Sequence, residues 1–207
     1  MRHLHFGKLF FVVFSLLLAY TVSARKPIKT LLITGQNNHN WQVSHVVLKQ
    51  ILENSGRFDV DFVISPEQGK DMSGFVLDFS PYQLVVLDYN GDSWPEETNR
   101  RFLEYVQNGG GVVIYHAADN AFSKWPEFNR ICALGGWEGR NENSGPYVYW
   151  KDGKLVKDSS AGPGGSHGRQ HEYVLNGRDK VHPVVKGLPL KWRHAKDELY
   201  DRMRGPG

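Results

Sequence analysis

From Lys29 to His116 short apolar runs rich in β-formers alternate with helical patterns, and this alternation limits the fold more than any other feature of the chain. Residues 29–34 (KTLLIT) form an apolar run between Pro27 and Gly35, as in a strand buried on both faces. A polar loop, residues 35–40, follows. Residues 41–54 then carry Val43, Val47, Leu48, Ile51 and Leu52 at helical spacing, with Gly56 as the C-terminal cap. Residues 58–64 (FDVDFVI) alternate as a second strand, and residues 84–89 (LVVLDY) read as a third. Pro95 suits the first turn of a helix over residues 96–108, where Phe102, Leu103 and Val106 share a face. Gly109 to Gly111 end it, and residues 112–116 (VVIYH) form a fourth strand. Strands that alternate with helices form a parallel sheet, so an α/β fold is expected.

Beyond Ala117 the rhythm loosens. Residues 125–134 fit a helix, and a glycine- and aromatic-rich stretch runs to about His171, with a hairpin expected over residues 147–156 around Asp152-Gly153. Residues 173–175 and 198–202 read as short strands. No Ser/Pro linker intervenes, and 207 residues with 40% hydrophobic content supply one sizeable core, so residues 25–207 are read as one domain. A parallel sheet normally ends on a covering helix or edge strand, so part of the domain is expected to be missing after Gly207.

Arg2, His5 and Lys8 precede an apolar run over residues 9–20, and Val22-Ser23-Ala24 offers a peptidase site, so residues 1–24 read as a signal peptide. The run is shorter than the roughly 20 residues that span a bilayer. An exported protein, periplasmic or extracellular, without a stable membrane anchor after cleavage is expected. Cleavage leaves 23 basic against 22 acidic residues. That near-balance, without a charged block, excludes a nucleic-acid groove. Cys132 is the one cysteine, so no internal disulfide forms, and its surroundings favour a small buried apolar residue over a catalytic thiol.

In open parallel sheets ligands bind beyond the carboxyl ends of the strands. There the sequence places His39 and Asn40 after the first strand, Asp88 to Ser93 with Asn90 after the third, and His116, Asp119 and Asn120 after the fourth. Asn40 can equally cap the following helix. A second cluster holds His167, His171 and Glu172, then His182, then Asp197, Glu198 and Tyr200. Imidazoles with carboxylates either bind a divalent metal such as zinc or shuttle protons, and the spacing does not choose between them. The cluster can also be a solvated loop. Gly109 to Gly111 follow a helix and precede a strand, the reverse of a dinucleotide fingerprint. Residues 162–166 lack the Lys-Ser/Thr of a phosphate loop, and no Gly-x-Ser-x-Gly elbow is present. Six tryptophans, Trp137 among them, can stack on sugar faces or fill core and loop packing.

With these residues in view, the chain resembles the ThuA-like (trehalose-utilisation) family of the class I glutamine amidotransferase-like superfamily. The resemblance runs from Lys29 to the C-terminus. It is carried by YNGDSWPEETNRRFLEYVQNGGGVVIYHAADNAF (residues 89–122), WPEFNRICALGGWEGR (125–140), HGRQHEY (167–173), HPVVKGLP (182–189) and DELYDR (197–202). It implies a flavodoxin-like three-layer sandwich with a mostly parallel sheet. Related amidotransferases carry a nucleophilic cysteine just after the fourth strand, where this chain has Ala117 and Ala118, so glutamine hydrolysis is not expected. Similar proteins also continue beyond the DELY motif with further strands and a closing helix.

The resemblance implies catabolism of trehalose or a related disaccharide, with a small carbohydrate, a 3-keto-glycoside among the choices, as ligand. A keto-sugar acidifies the adjacent C–H, so isomerisation or elimination needs a base, an acid and a polarising group. The catalytic candidates are His116, Glu198 and His171. His39, Asn40, Asn90, Asp119, Asn120, Trp137, His167, His182 and Tyr200 are candidates for substrate binding, and His167, His171 and His182 for a metal. A sugar-binding module without chemistry, and a degenerate amidotransferase-like domain, are the alternatives.

Overall fold

The structure, a computed structural model, describes residues 26–206. The leader expected over residues 1–24 lies outside the described residues. β1 (Ile28–Thr34), β2 (Phe58–Ile64), β3 (Leu84–Leu87) and β4 (Gly111–Ile114) form one parallel sheet in the order β2-β1-β3-β4. Side chains alternate across a strand, so β1 sends Leu32 to one face and Leu31 and Ile33 to the other. On the first face, Leu48 and Leu52 of α1 (Trp41–Asn54) pack on Leu32, Val60 and Val86. On the second, Phe102 of α2 (Glu96–Gln107) and Phe128 of α3 (Pro126–Cys132) join Leu31, Ile33, Val85 and Leu87. The result is the expected α/β sandwich of three layers.

The two cores are unequal. The α2 side is large and aromatic: Phe79, Trp94 and Phe102 are buried there, with Phe122 and Trp125 packed against them. Burial at roughly 25 cal/mol per Å² of apolar surface makes this side the main source of cohesion. The α1 side is thin, because α1 carries more apolar positions than the sheet covers. Val43, Val47 and Ile51, expected to face the core, are exposed along with Val46.

β3 and β4 are shorter than their apolar runs. Asp88 N donates to Ile33 O and Tyr115 N to Leu87 O, and the ladder stops there, since β1 ends at Thr34. Asp88, Tyr89, Tyr115 and His116 therefore lie in the loops beyond the sheet. Pro95 stands one position ahead of α2 as its N-cap, and Glu96 and Glu97 fill the first turn, where carboxylates are favoured.

The second half adds antiparallel pairs. β5 (Tyr147–Lys151) and β6 (Lys154–Asp158) form the expected hairpin, turned by Asp152 and Gly153 at φ 48° and 77°. β7 (Ser166–His167) pairs with β10 (Tyr200–Asp201), and β8 (His171–Asn176) with β9 (Lys191–Asp197). The strand expected over residues 198–202 is thus only two residues long, and β9 was not expected because KWRHAKD is polar on both faces.

Two buried arginines hold the irregular segments of this half together. The Arg140 guanidinium donates to Asn120 O and Gly136 O (both 2.7 Å), Ala121 O (2.8 Å) and Asn129 Oδ1 (2.9 Å). Arg204 donates to Gly145 O and Ser160 O while stacking on Tyr147. A lysine keeps the charge but not the planar fork that serves four acceptors. Arg140→Lys is expected to lower unfolding free energy by about 2–3 kcal/mol, from carbonyls left unpaired, in urea titrations followed by tryptophan fluorescence.

Candidate functional site

β1 lies between β2 and β3, so the chain leaves β1 toward the α1 face and leaves β3 toward the α2 face. The loops after β1 and β3 part at this switch point and open a crevice, as in other open α/β sheets. Gln36, buried on exit from β1, holds its walls: Nε2 donates to Pro66 O (2.7 Å), Oε1 accepts from Asp92 N (2.7 Å) and the carbonyl accepts from Asn90 N (2.8 Å). Gly91 is required beside it, because a Cβ there would meet Gln36 at 2.1 Å.

A cavity of about 420 Å³ lies in the crevice, bordered by Asn37, His39, Ser44, Asp88, His116 and Asp197. Asp88 accepts from Ser44 Oγ (2.5 Å) and Asn37 Nδ2 (3.1 Å). Burial raises its carboxyl pKa, against the lowering effect of those hydrogen bonds. In the sequence Asp88 stands out only as part of the polar end of the third strand. Ser44, one turn into a helix that begins at a polar strand end, was the signal that could have found the pair.

His116 opens a 3₁₀ turn, His116–Asn120, directly after β4. Its φ of 47° is unusual for a residue with a side chain, and such strain persists only where the surroundings impose it. Here the turn presents the imidazole to the crevice. The His39 and His116 rings have centroids 4.5 Å apart, and Tyr200 lies on the other side of His116 at 5.1 Å. Beyond Tyr200 come Trp137 at 4.6 Å and His167 at 6.1 Å. The Tyr200 hydroxyl is 3.4 Å from His116 Nε2. Glu198, mostly buried, sits between two imidazoles: Oε2 is 4.0 Å from His116 Nε2 and Oε1 is 3.9 Å from His167 Nε2. His167 Nδ1 lies 2.9 Å from Gly168 O, which turns Nε2 toward Glu198.

Burial, and then the neighbouring His39, lower the His116 pKa against the opposing pull of Asp197, Glu198 and Asp88, which favours its neutral imidazole. Burial, with Asp119 and Glu198 close by, raises the Tyr200 pKa, which keeps the phenol a donor. Imidazoles, a carboxylate and a phenol donor brought together can take a proton and stabilise an oxyanion.

Of the expected site residues, His39, His116, Trp137, His167, Glu198 and Tyr200 come together. Asn40 borders the cavity and makes no side-chain cap bond to α1. Asn90 donates to Asn38 Oδ1 and lines an adjoining polar cleft of about 580 Å³ with Phe122 and Trp125. His171 packs on Tyr173 and places Nδ1 at Arg169 O, while His182 accepts from Val184 N in an exposed loop. His167, His171 and His182 therefore do not converge. The described His, Cys and acidic residues that do are His39, His116 and Glu198, with one donor atom from each within 4.8 Å of the others. Cys132 is partly buried against the α2-side core, and burial raises its thiol pKa to about 11.

Asp119 and Asn120 turn inward from the 3₁₀ turn, each with Oδ1 buried and unpartnered. Burial lifts the Asp119 pKa to about 6 despite Arg140. A carboxyl with a folded pKa above its unfolded value favours the fold at low pH, and that advantage disappears as pH rises through about 6. Asp119→Asn is therefore expected to gain about 1–2 kcal/mol over the parent at pH 7.5 and nothing near pH 4, in thermal or urea unfolding across that range. A difference independent of pH would contradict the assignment.

The family model described as trehalose utilisation matches residues 29–206. No curated protein matches the chain. Among solved structures, a ThuA-like protein from Bacteroides uniformis superposes with a TM-score of 0.52 at 19% identity, over 85% of this chain and 62% of that one. At that identity the likeness concerns the fold, and this chain spans under two thirds of that protein.

Proposed function

The chain belongs to the trehalose-utilisation (ThuA) family, and on that premise we propose that its crevice binds a disaccharide-derived keto-sugar and moves a proton at the carbon beside the carbonyl. The observation that carries this reading is Glu198 between His116 and His167, at 4.0 and 3.9 Å, with the Tyr200 hydroxyl alongside. A C–H next to a ketone is acidic enough for a carboxylate–imidazole pair to remove its proton, provided the developing oxyanion is held. Glu198 and His167 supply the base. Tyr200, backed by His116, donates to the carbonyl oxygen, and the Trp137 ring offers an apolar face to the sugar. The proton returned to the neighbouring carbon gives isomerisation, and loss of a β-oxygen gives elimination. The family's link to carbohydrate catabolism supports the substrate class, and the apolar leader of residues 9–20 supports export. No helix of the described residues is long and apolar enough to cross a membrane.

Single substitutions separate chemistry from binding. With 3-keto-trehalose as substrate, Glu198→Gln and His116→Ala are each expected to lower kcat by about 10²–10⁴-fold, read by product formation in NMR, whereas Trp137→Ala raises KM with a smaller effect on kcat. Turnover unchanged in both Glu198→Gln and His116→Ala would overturn the proposal. Binding of the sugar without product in the parent protein would favour a binding module.

A further inference from the structure

We infer that His39, His116 and Glu198 form a binding site for one divalent transition-metal cation of the zinc type. It deepens the reading above, on which the cation's chemical role rests but its binding does not.

The donor set is the first support. Two imidazoles and one carboxylate are a ligand combination typical of zinc and related ions, leaving positions open for water or substrate. The second is convergence from separate elements. His39 comes from the loop after β1, His116 from the turn after β4, and Glu198 from the segment between β9 and β10, 82 residues further along the chain. Their donor atoms nevertheless lie within 4.8 Å of one another. Tetrahedral ligands at about 2.0–2.2 Å from zinc stand roughly 3.3 Å apart, so small side-chain adjustments of all three residues, the His116–Glu198 pair at 4.0 Å included, close the site.

The third support is the setting. The left-handed backbone at His116 fixes its ring toward the crevice. Glu198 is only 17% exposed in its side chain and has no lysine or arginine within salt-bridge distance among the described residues. Its two oxygens divide their work: Oε2 is on the His116 side, and Oε1 faces His167. Metal-ligating carboxylates are commonly supported by neighbouring polar groups, and His167 Nε2 stands at 3.9 Å from the second Glu198 oxygen. The cation would polarise the sugar carbonyl as a Lewis acid, a role suited to vicinal oxygens of a keto-sugar. With the cation bound, Glu198 serves as a ligand in place of its part in the base, and His167 and Tyr200 carry the proton transfer.

The test is direct binding to the full chain, purified without a histidine tag and stripped with chelator. Calorimetric titration with zinc is expected to give one equivalent, and cobalt(II) is expected to give the visible absorption of a four- or five-coordinate N/O site. His39→Ala and Glu198→Gln should each weaken binding at least about tenfold, and His182→Ala should leave it unchanged. Circular dichroism of each variant checks that it folds. No stoichiometric binding, or binding unaffected by His39→Ala and Glu198→Gln in folded variants, overturns the site. Full turnover of 3-keto-trehalose by the stripped protein in chelator would remove the cation's role and leave the proton-transfer reading standing. Stoichiometric binding abolished by the variants, without turnover, would uphold the site and sink that reading.

Discussion

A strand with a neighbour on each side, from whose end the chain departs to one face of the sheet while its neighbour's continuation departs to the other, leaves a gap that no backbone fills. β1 and β3 create that gap here, and His39, Asp88 and His116 border it. Its walls are rigid because Gln36 is buried at the exit of β1 and bonds to backbone beyond both β2 and β3. The polar groups that face it, Asn37, Ser44 and Asp88, are already paired with one another. Preorganised polar groups at a fixed gap bind and polarise a ligand without reorganising first.

The parallel half alone does not complete the site. It contributes His39 and His116, two bases with no carboxylate in contact except through the second half of the chain. Glu198, Tyr200 and His167 come from the short β7–β10 ladder, whose pairing of Tyr200 with His167 sets both rings on one side. Arg140 and Arg204 hold the segments around this ladder by bonding to carbonyls that loops would otherwise leave unpaired. Buried guanidinium groups bonded to backbone oxygens thus do for the irregular half what strand pairing does for the sheet.

Much of this was legible in the sequence. The bounds of β2 and α1 and the position of β1 follow from period and from punctuation by Pro27, Gly35 and Gly56, because buried strands and amphipathic helices must show those patterns. The family motifs then added the layer architecture. His39, His116 and Glu198 were legible as candidates, from strand ends and from motifs. Their meeting was not, since no local rule relates residue 39 to residue 198. The metal candidates failed to converge for the same reason: His171 and His182 are near His167 in sequence, but β8 turns one toward Tyr173 and the loop after it carries the other into solvent. β9 was invisible because its ladder lies at the surface, where strand pairing imposes no apolar alternation. The outer face of α1 shows the converse, an apolar pattern wider than the surface available to bury it.

The site depends on imidazoles contributed by both halves of the chain. Nitrogen-detected NMR of the histidine side chains, recorded while 3-keto-trehalose is added, tests this most directly. His39, His116 and His167 should shift together along one saturation curve, with His182 unmoved. Shifts confined to one half of the chain, or centred on His171 and His182, would contradict it.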